Sequence, residues 1–562
     1  MAVRSSAEAS PRDLEIMRTS AGTTVRTVPR PARPAREEGP ARSPATRRAG
    51  PWFAVAATLV LLWALFQDFF RLGTPQILAD EPIYAKAAWI YVHGSPLPPS
   101  HSTSTPAATV DNFEHPPLAK YLFGIAQLLA GKPSITVDRA VSAVFLVLAG
   151  VLVAVWIGRA AGRWTGLLAG GLVSVLPEIA AGSAADFCRF GMLDPVAEFF
   201  AVACVALGWQ WSRRTGRGAW LLAAATGVAT GCAAGAKENG FLGILGPSIL
   251  LLVFARTARG RPRPVERCLQ ALLAALTCAT VFVALYLPVG RPLARIGYLF
   301  DFQSAHSAEG HLVGFAGQVS RFPPWWANLW FAGHSLGPAL TTVLLLAALA
   351  AVTLRRDQLA AWCVAALVGP FVFHCLVARV TLGFYWVMWM PAFFVLAALG
   401  IREIVERRDH LYGAVPRALA VCLVLAVPVG ASTRESIKVA ELKPVGVKVL
   451  PSLERSHNLH GPVIAAGIAR GLLTTYLPGT GVITSTAASL AGAEVVIVGS
   501  PVCRELIDQS VRALVALNLP QHRIQQIHAD SQFTVFQVLA PLIHPSPQQI
   551  AAEPPGNLSD HC

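Results

Sequence analysis

The chain has 562 residues, 54% of them hydrophobic and only 14% charged, with a mean hydropathy of +0.51. Soluble domains carry about a quarter charged residues, so composition excludes an ordinary soluble protein and indicates a polytopic membrane protein. The formal net charge of +14 does not imply a nucleic-acid partner. The basic residues stand in short runs between apolar stretches, without the groove-like clustering and interleaved aromatics that such a partner requires.

Residues 1–50 hold ten arginines, no lysine and no aromatic residue. Such a segment buries too little apolar surface to offset its chain entropy, and is expected to be a disordered basic cytoplasmic tail. Apolar runs of bilayer-crossing length follow near 51–70, 138–158, 164–182, 195–211, 219–236, 240–255, 268–288, 336–354, 359–377, 384–400 and 415–431. They predict an all-α membrane domain over 51–431 with about eleven spans. With the N-terminus inside, every strongly basic short loop falls on the cytoplasmic face, as charge asymmetry across membranes requires. The same alternation sends Asp80, Glu81, Glu114, His115, Arg189, Asp194, Lys237, Glu238, His306, His311 and Arg379 to the other face. Scattered structural charges would fall on both sides, so one extracytoplasmic site is expected.

Within the first external loop, 80–93 predicts an interfacial helix with Ile83, Ala87 and Ile90 on one stripe. A second is expected over 116–131, where Pro116–Pro117 suits a helix start and the apolar run is too short to span. Residues 432–562 read as a small extracytoplasmic α/β domain, with strands at Val463–Ala466, Glu494–Val498 and Phe533–Val538 and a helix over Cys503–Leu517. No P-loop or dinucleotide fingerprint is present there. The ten cysteines show no metal-ligand spacing and read as small apolar packers.

Each polar cluster admits a structural and a chemical reading. Asp80-Glu81 is either a pair of acids at a helix start or a general base with its neighbour. Glu114-His115-Pro116-Pro117 is a proline-fixed turn or part of a site. Arg189 and Asp194 form either a local ion pair or a place for a phosphate, which a planar guanidinium fits well. Lys237 is one of only seven lysines against 39 arginines. It either snorkels or serves a site, and Arg379, leading Tyr385-Trp386, repeats that pattern. His306, Glu309 and His311 do not match a zinc helix motif; no cofactor is assigned, and a divalent cation stays an open alternative.

Ala79-Asp80-Glu81-Pro82-x-Tyr84-Ala85 with Phe113-Glu114-His115-Pro116-Pro117-Leu118 resembles the paired motifs of GT-C glycosyltransferases that use polyprenyl-phosphate sugars. These are the lipid A aminoarabinose transferases and the protein O-mannosyltransferases. His115-Pro-Pro-Leu-Ala-Lys120 is similar to the mannosyltransferase form, and Arg189-x-x-Met-Leu-Asp194 to the family's Arg-to-Asp motif. The aminoarabinose type has Lys where His115 stands, and the terminal domain carries no family motif. The resemblance implies Asp80, beside Glu81, as the catalytic base. It places Arg189, Lys237 and Arg379 toward the donor phosphate, and Tyr84, Glu114, His115, Lys120 and Asp194 along the substrates. It further implies a polyprenyl-phosphate donor, with mannose the first choice of sugar. The acceptor stays open among protein, glycan, lipid and secreted metabolite. A lipid-linked glycan flippase or transporter is the competing class, but no internal repeat is found and the charges sit at span ends, unlike the mid-membrane sites of transporters.

Overall fold

Helix α1 (Pro51–Phe69) is apolar up to Gln67 and Asp68 in its last turn and opens a helical bundle with a small sheet domain at its C-terminal end. The computed structural model describes residues 50–74, 80–93, 111–176, 189–254, 264–311, 313–316, 318–355, 357–407, 414–441, 449–459, 461–466, 482–483, 493–499, 509–529 and 533–552. The expected disorder of the N-terminal tail and the region around Cys503 lie outside them. After α1 come α2 (Glu81–His93), α3 (Leu118–Ala130), α4 (Ile135–Ala161), α5 (Arg163–Val175), α6 (Asp194–Ser212), α7 (Gly216–Ala236), α8 (Leu242–Phe254) and α9 (Pro264–Ala284). A helix stands at each expected apolar run, and six helical runs among the described residues are long and apolar enough to cross a membrane.

Small residues let these helices approach closely, as helix packing in lipid favours. A Cβ on Gly166 would meet the Ala154 carbonyl oxygen at 2.3 Å, and one on Gly170 the Gly150 carbonyl at 2.4 Å, so α4 and α5 touch backbone to backbone. Gly227 does the same for α7 against Ala274 of α9, at 2.3 Å.

The two helices expected in the first external loop are present, as α2 and α3. The long connection after α9 is more ordered than its composition suggests. Pro292 starts α10 (Pro292–Glu309), Gly310 ends it with a positive φ of 73°, and a hairpin of β1 (Val313–Phe315) and β2 (Gln318–Ser320) leads into α11 (Ala327–Leu336). Helices α12 (Pro338–Ala350), α13 (Gln358–Val372) and α14 (Met390–Arg407) complete the bundle.

Helix α15 (Ala414–Glu441) runs past the boundary expected at 432. The reason is a polar stripe that still packs on α1: Trp63 Nε1 donates to Ser436 Oγ (2.7 Å), and Gln67 Nε2 donates to Ser432 O (2.9 Å) and Ser436 Oγ (2.8 Å). Beyond α16 (Leu450–His457) lies a five-stranded sheet of order β4-β3-β5-β7-β6, made of β3 (Val463–Ala466), β4 (Val482–Ile483), β5 (Val495–Gly499), β6 (Ile524–Ala529) and β7 (Phe533–Val538). β3 pairs in parallel with β4 and β5, whereas β7 runs antiparallel to β5 and β6. Helix α17 (Gln509–Asn518) covers one face through Val511 and Leu514, packed with Ile464, Val496 and Phe536. The other face, with Leu450, Leu459 and Val463, packs against Ile135 at the start of α4. That contact puts the sheet domain at the same end of the bundle as the residues described next.

Candidate functional site

The first turn of α4 holds the site's foundation. Arg139 is buried and donates from Nε and Nη2 to the two carboxylate oxygens of Glu81, each at 2.7 Å, and from Nη1 to Leu72 O at 3.0 Å. The Gly191 N–H donates to Glu81 as well (2.7 Å), and the guanidinium lies 4.8 Å from the Phe190 ring centroid. This two-pronged geometry is the strong form of a charged hydrogen bond. It joins the end of α1, the start of α2, α4 and the loop before α6. Glu81, expected as a catalytic partner of Asp80, is therefore sealed in a structural pair. Replacing Arg139 by Lys keeps the charge but loses the fork. The detergent-purified variant should be less stable by about 1.5–3 kcal/mol, the worth of a hydrogen bond to a charged group, and an unshifted thermal melt would rule this role out.

Asp80 is different. It is exposed just ahead of α2, its carbonyl accepts the Tyr84 N–H at 2.9 Å, and no side-chain hydrogen bond or ion pair reaches it among the described residues. Its charge acts on Tyr84 and Tyr385. Tyr84 is the hub: burial first, then the charges of Asp80, Asp194 and Glu238, hold its hydroxyl well above the usual tyrosine value. Its ring meets the His115 ring edge-on at 5.9 Å, and His115 Nδ1 lies 3.2 Å from Glu238 Oε2. Burial pushes the Glu238 carboxyl up, but His115 and Lys237 prevail and hold it at about 2.

Lys237, just past the end of α7, reaches Asp194 at the start of α6 with a 2.5 Å contact. The ammonium also lies 5.4 Å from the Phe384 centroid and 5.1 Å from that of Tyr385, cation–π distances. Burial works against its charge, yet Asp194, Tyr385 and Glu238 outweigh burial and hold it above the usual lysine value. Asn239 Nδ2 lies 3.4 Å from His374 Nε2, and the His374 ring 5.1 Å from Tyr385. An apolar floor of Ala88, Phe123, Phe190, Met192, Val196 and Met388 packs beneath Tyr84.

Several expected roles change. The partner of Asp194 is Lys237 and not Arg189, whose buried guanidinium turns away to donate to Phe70 O at 2.6 Å. Arg379 is exposed, and no described contact joins it to the cluster. Lys120, expected along the substrate, is wholly buried and clamps the 111–115 loop: its Nζ donates to Asn112 O, to Asn112 Oδ1 (3.1 Å) and to His115 O (2.7 Å). Glu114 is buried, and its carbonyl accepts from Gln303 Nε2 of α10 at 2.8 Å. Among the described residues no group of three or more His, Cys, Asp or Glu side chains is placed to hold a metal ion.

Burial pulls the Lys120 ammonium down to about 7, against the opposing pull of Glu114, Glu238 and Asp111. The folded value lies below that of the unfolded chain, so between them the unfolded chain binds the extra proton. The cost of carrying the charge is therefore full below about pH 7 and falls as pH climbs toward about 10.4, the ordinary lysine value. The thermal melt of the wild type, measured against Lys120→Met, should improve from about pH 7 to about pH 9.5. A difference that stays flat refutes it.

Arg139 and the His115–Glu238 pair escaped sequence reasoning. The only signal for Arg139 was an Asp-Arg pair at the head of a long apolar run.

The family model for dolichyl-phosphate-mannose-protein mannosyltransferases matches residues 109–289. That stretch carries Glu114, His115, Lys120, Arg139, Arg189, Asp194 and Lys237. Among solved structures, ArnT from Cupriavidus metallidurans bound to undecaprenyl phosphate matches with a TM-score of 0.55 at 15% identity, covering 88% of this chain and 99% of that one. The chain shares its fold with this ArnT. The apo form of the same ArnT gives a TM-score of 0.54 at 14% identity, with 86% and 97% covered. No curated protein matches the chain. Within this fold, the cluster of Asp80, Tyr84, His115, Asp194, Lys237, Glu238 and Tyr385 occupies the end of the bundle where α2 and α3 lie.

Proposed function

We propose that this chain is a GT-C glycosyltransferase that moves a sugar from a polyprenyl-phosphate donor to an acceptor hydroxyl on the extracytoplasmic face, with inversion. One observation carries the reading. An exposed carboxylate without a described partner, Asp80, stands one turn ahead of Tyr84, and its charge acts on Tyr385, whose ring also flanks the buried cation Lys237. In the proposed step Asp80 takes the proton of the acceptor hydroxyl, whose oxygen attacks the anomeric carbon. The bond from that carbon to the phosphate oxygen breaks, and the phosphate leaves with the electron pair. A phosphate needs no protonation to depart, so a single base serves where glycosidases use two carboxylates.

Lys237 is the cation best placed for the leaving phosphate. An ammonium has three donors, and Asp194 takes one. Tyr84 and His115 line the way between the two charges. Glu81 and Lys120 act through the backbone they hold, and Arg189 and Arg379 are not needed for the step. The donor class is supported by the undecaprenyl phosphate of the ArnT structure, and mannose by the family model matched over 109–289. The charge alternation of the sequence supports an N-in, C-out topology with the site outside.

The direct test incubates the purified chain with polyprenyl-phosphate mannose and envelope fractions, and identifies the labelled acceptor by mass spectrometry. Label that crosses a vesicle membrane without changing its covalent partner would support a flippase instead and sink the transferase reading.

A further inference from the structure

Only 17% of the most apolar window of helix α1 is buried, and two grooves lie along it. One, of about 780 Å³, lies toward α5, α14 and α15; the other, of about 530 Å³, lies toward α4 and α5. Both fall in the ~300–1,000 Å³ range of sites for small organic ligands. They are not independent, because Val60, Arg163, Leu167 and Gly171 line both. Gly171 keeps the passage beneath α1 low: a Cβ there would already stand 3.3 Å from Val60 Cγ1.

The polar ends of the two grooves coincide. Arg159, in the last turn of α4, and Arg163, at the start of α5, sit at the end of α4 opposite Arg139. The 27 residues of α4 span about 40 Å at 1.5 Å per residue, so this is the other membrane surface from the site. Both arginines are exposed, and among the described residues no acid pairs with either. Arg163 lies 5.3 Å from the Phe53 centroid, and Phe53 meets Trp164 edge-on at 5.3 Å, giving the rim an aromatic shoulder. The neighbouring Arg402 is already committed, to Glu406 at 2.7 Å and to the Ala161 carbonyl.

We infer that the paired grooves under α1 bind one anionic two-chain phospholipid, its phosphate on Arg159 and Arg163 and one acyl chain in each groove. The charges decide the headgroup, since two arginines with no acid partner among the described residues, at a lipid surface, favour a net negative head over a zwitterionic one. The forked apolar shape decides the tails, because a single chain leaves one groove unfilled. This site takes no part in sugar transfer. It fixes α1, whose last turns lead to Leu72 and so to Arg139.

The test uses the full chain purified in mild detergent and assayed by native mass spectrometry. Wild type should retain one phosphatidylglycerol-type lipid, and phosphatidylglycerol, but not phosphatidylcholine, should raise its melting temperature. Arg159→Gln with Arg163→Gln should weaken that preference by about fivefold for each arginine, equivalent to ~1 kcal/mol. Should the double variant fail to fold, Arg159→Gln alone and the wild-type headgroup preference decide. Equal retention of both headgroups by the wild type overturns the inference. So does a photo-crosslinker at Leu167 that captures residues 1–49 and no lipid, which would give the grooves to the chain's own tail.

Discussion

Asp80→Asn is expected to lower transfer from a purified polyprenyl-phosphate sugar by about two to four orders of magnitude, the usual range for a lost general base. The substitution is clean for a structural reason. Asp80 makes no described side-chain bond, and asparagine opens a helix as well as aspartate does, so α2 should start where it does now. Donor binding should persist, because the cation and the lipid-facing helices are untouched. Glu81→Gln makes the contrast: its carboxylate already takes hydrogen bonds from Arg139 and Gly191, so its loss should appear first as lower thermal stability. A near wild-type rate for Asp80→Asn beside a dead Glu114→Gln would move the base to Glu114.

Lys237 carries the second large effect, and here stability and chemistry must be separated. Lys237→Met leaves Asp194 buried without its cation, and breaking a buried pair costs about 3–5 kcal/mol, so a poorly folded single variant says nothing of catalysis. Replacing both partners with apolar residues is often neutral for stability. Lys237→Met with Asp194→Leu should therefore melt near the wild type while transferring sugar about 10²–10³ times more slowly, the range for losing one group that stabilises developing negative charge. A double variant with wild-type turnover would make the pair structural and leave the phosphate to another cation.

Much of this architecture is legible in the amino-acid sequence because it depends on local pattern. The apolar runs place the helices, Pro116–Pro117 and Gly131 bracket α3, and the β-branched runs at Val463–Ala466 and Phe533–Val538 are strands as expected. What pattern cannot supply is which charges meet. Proximity in sequence suggested Arg189 for Asp194; the partner is Lys237, 43 residues away. His115 meets Glu238 across 123 residues. Arg139 looked like the flank of a span, and only tertiary contact makes it the partner of Glu81. The sequence separated the exposed Asp80 from the sealed Glu81 no better, because the groups that seal Glu81 lie 58 and 110 residues further along the chain.

The Arg139 knot also sets an order of events during synthesis. Glu81 is bound by a residue 58 positions later and by a backbone amide 110 positions later. A nascent chain that has inserted α1 and formed α2 exposes Asp80 with nothing behind it to fix its direction. Only when α4 has entered the membrane and the turn before α6 has emerged does Glu81 acquire its three donors. On the proposed mechanism the chain is thus inert through the first third of its translation, and one that stalls or is cut before Gly191 leaves a fragment with a carboxylate but no partner to set it.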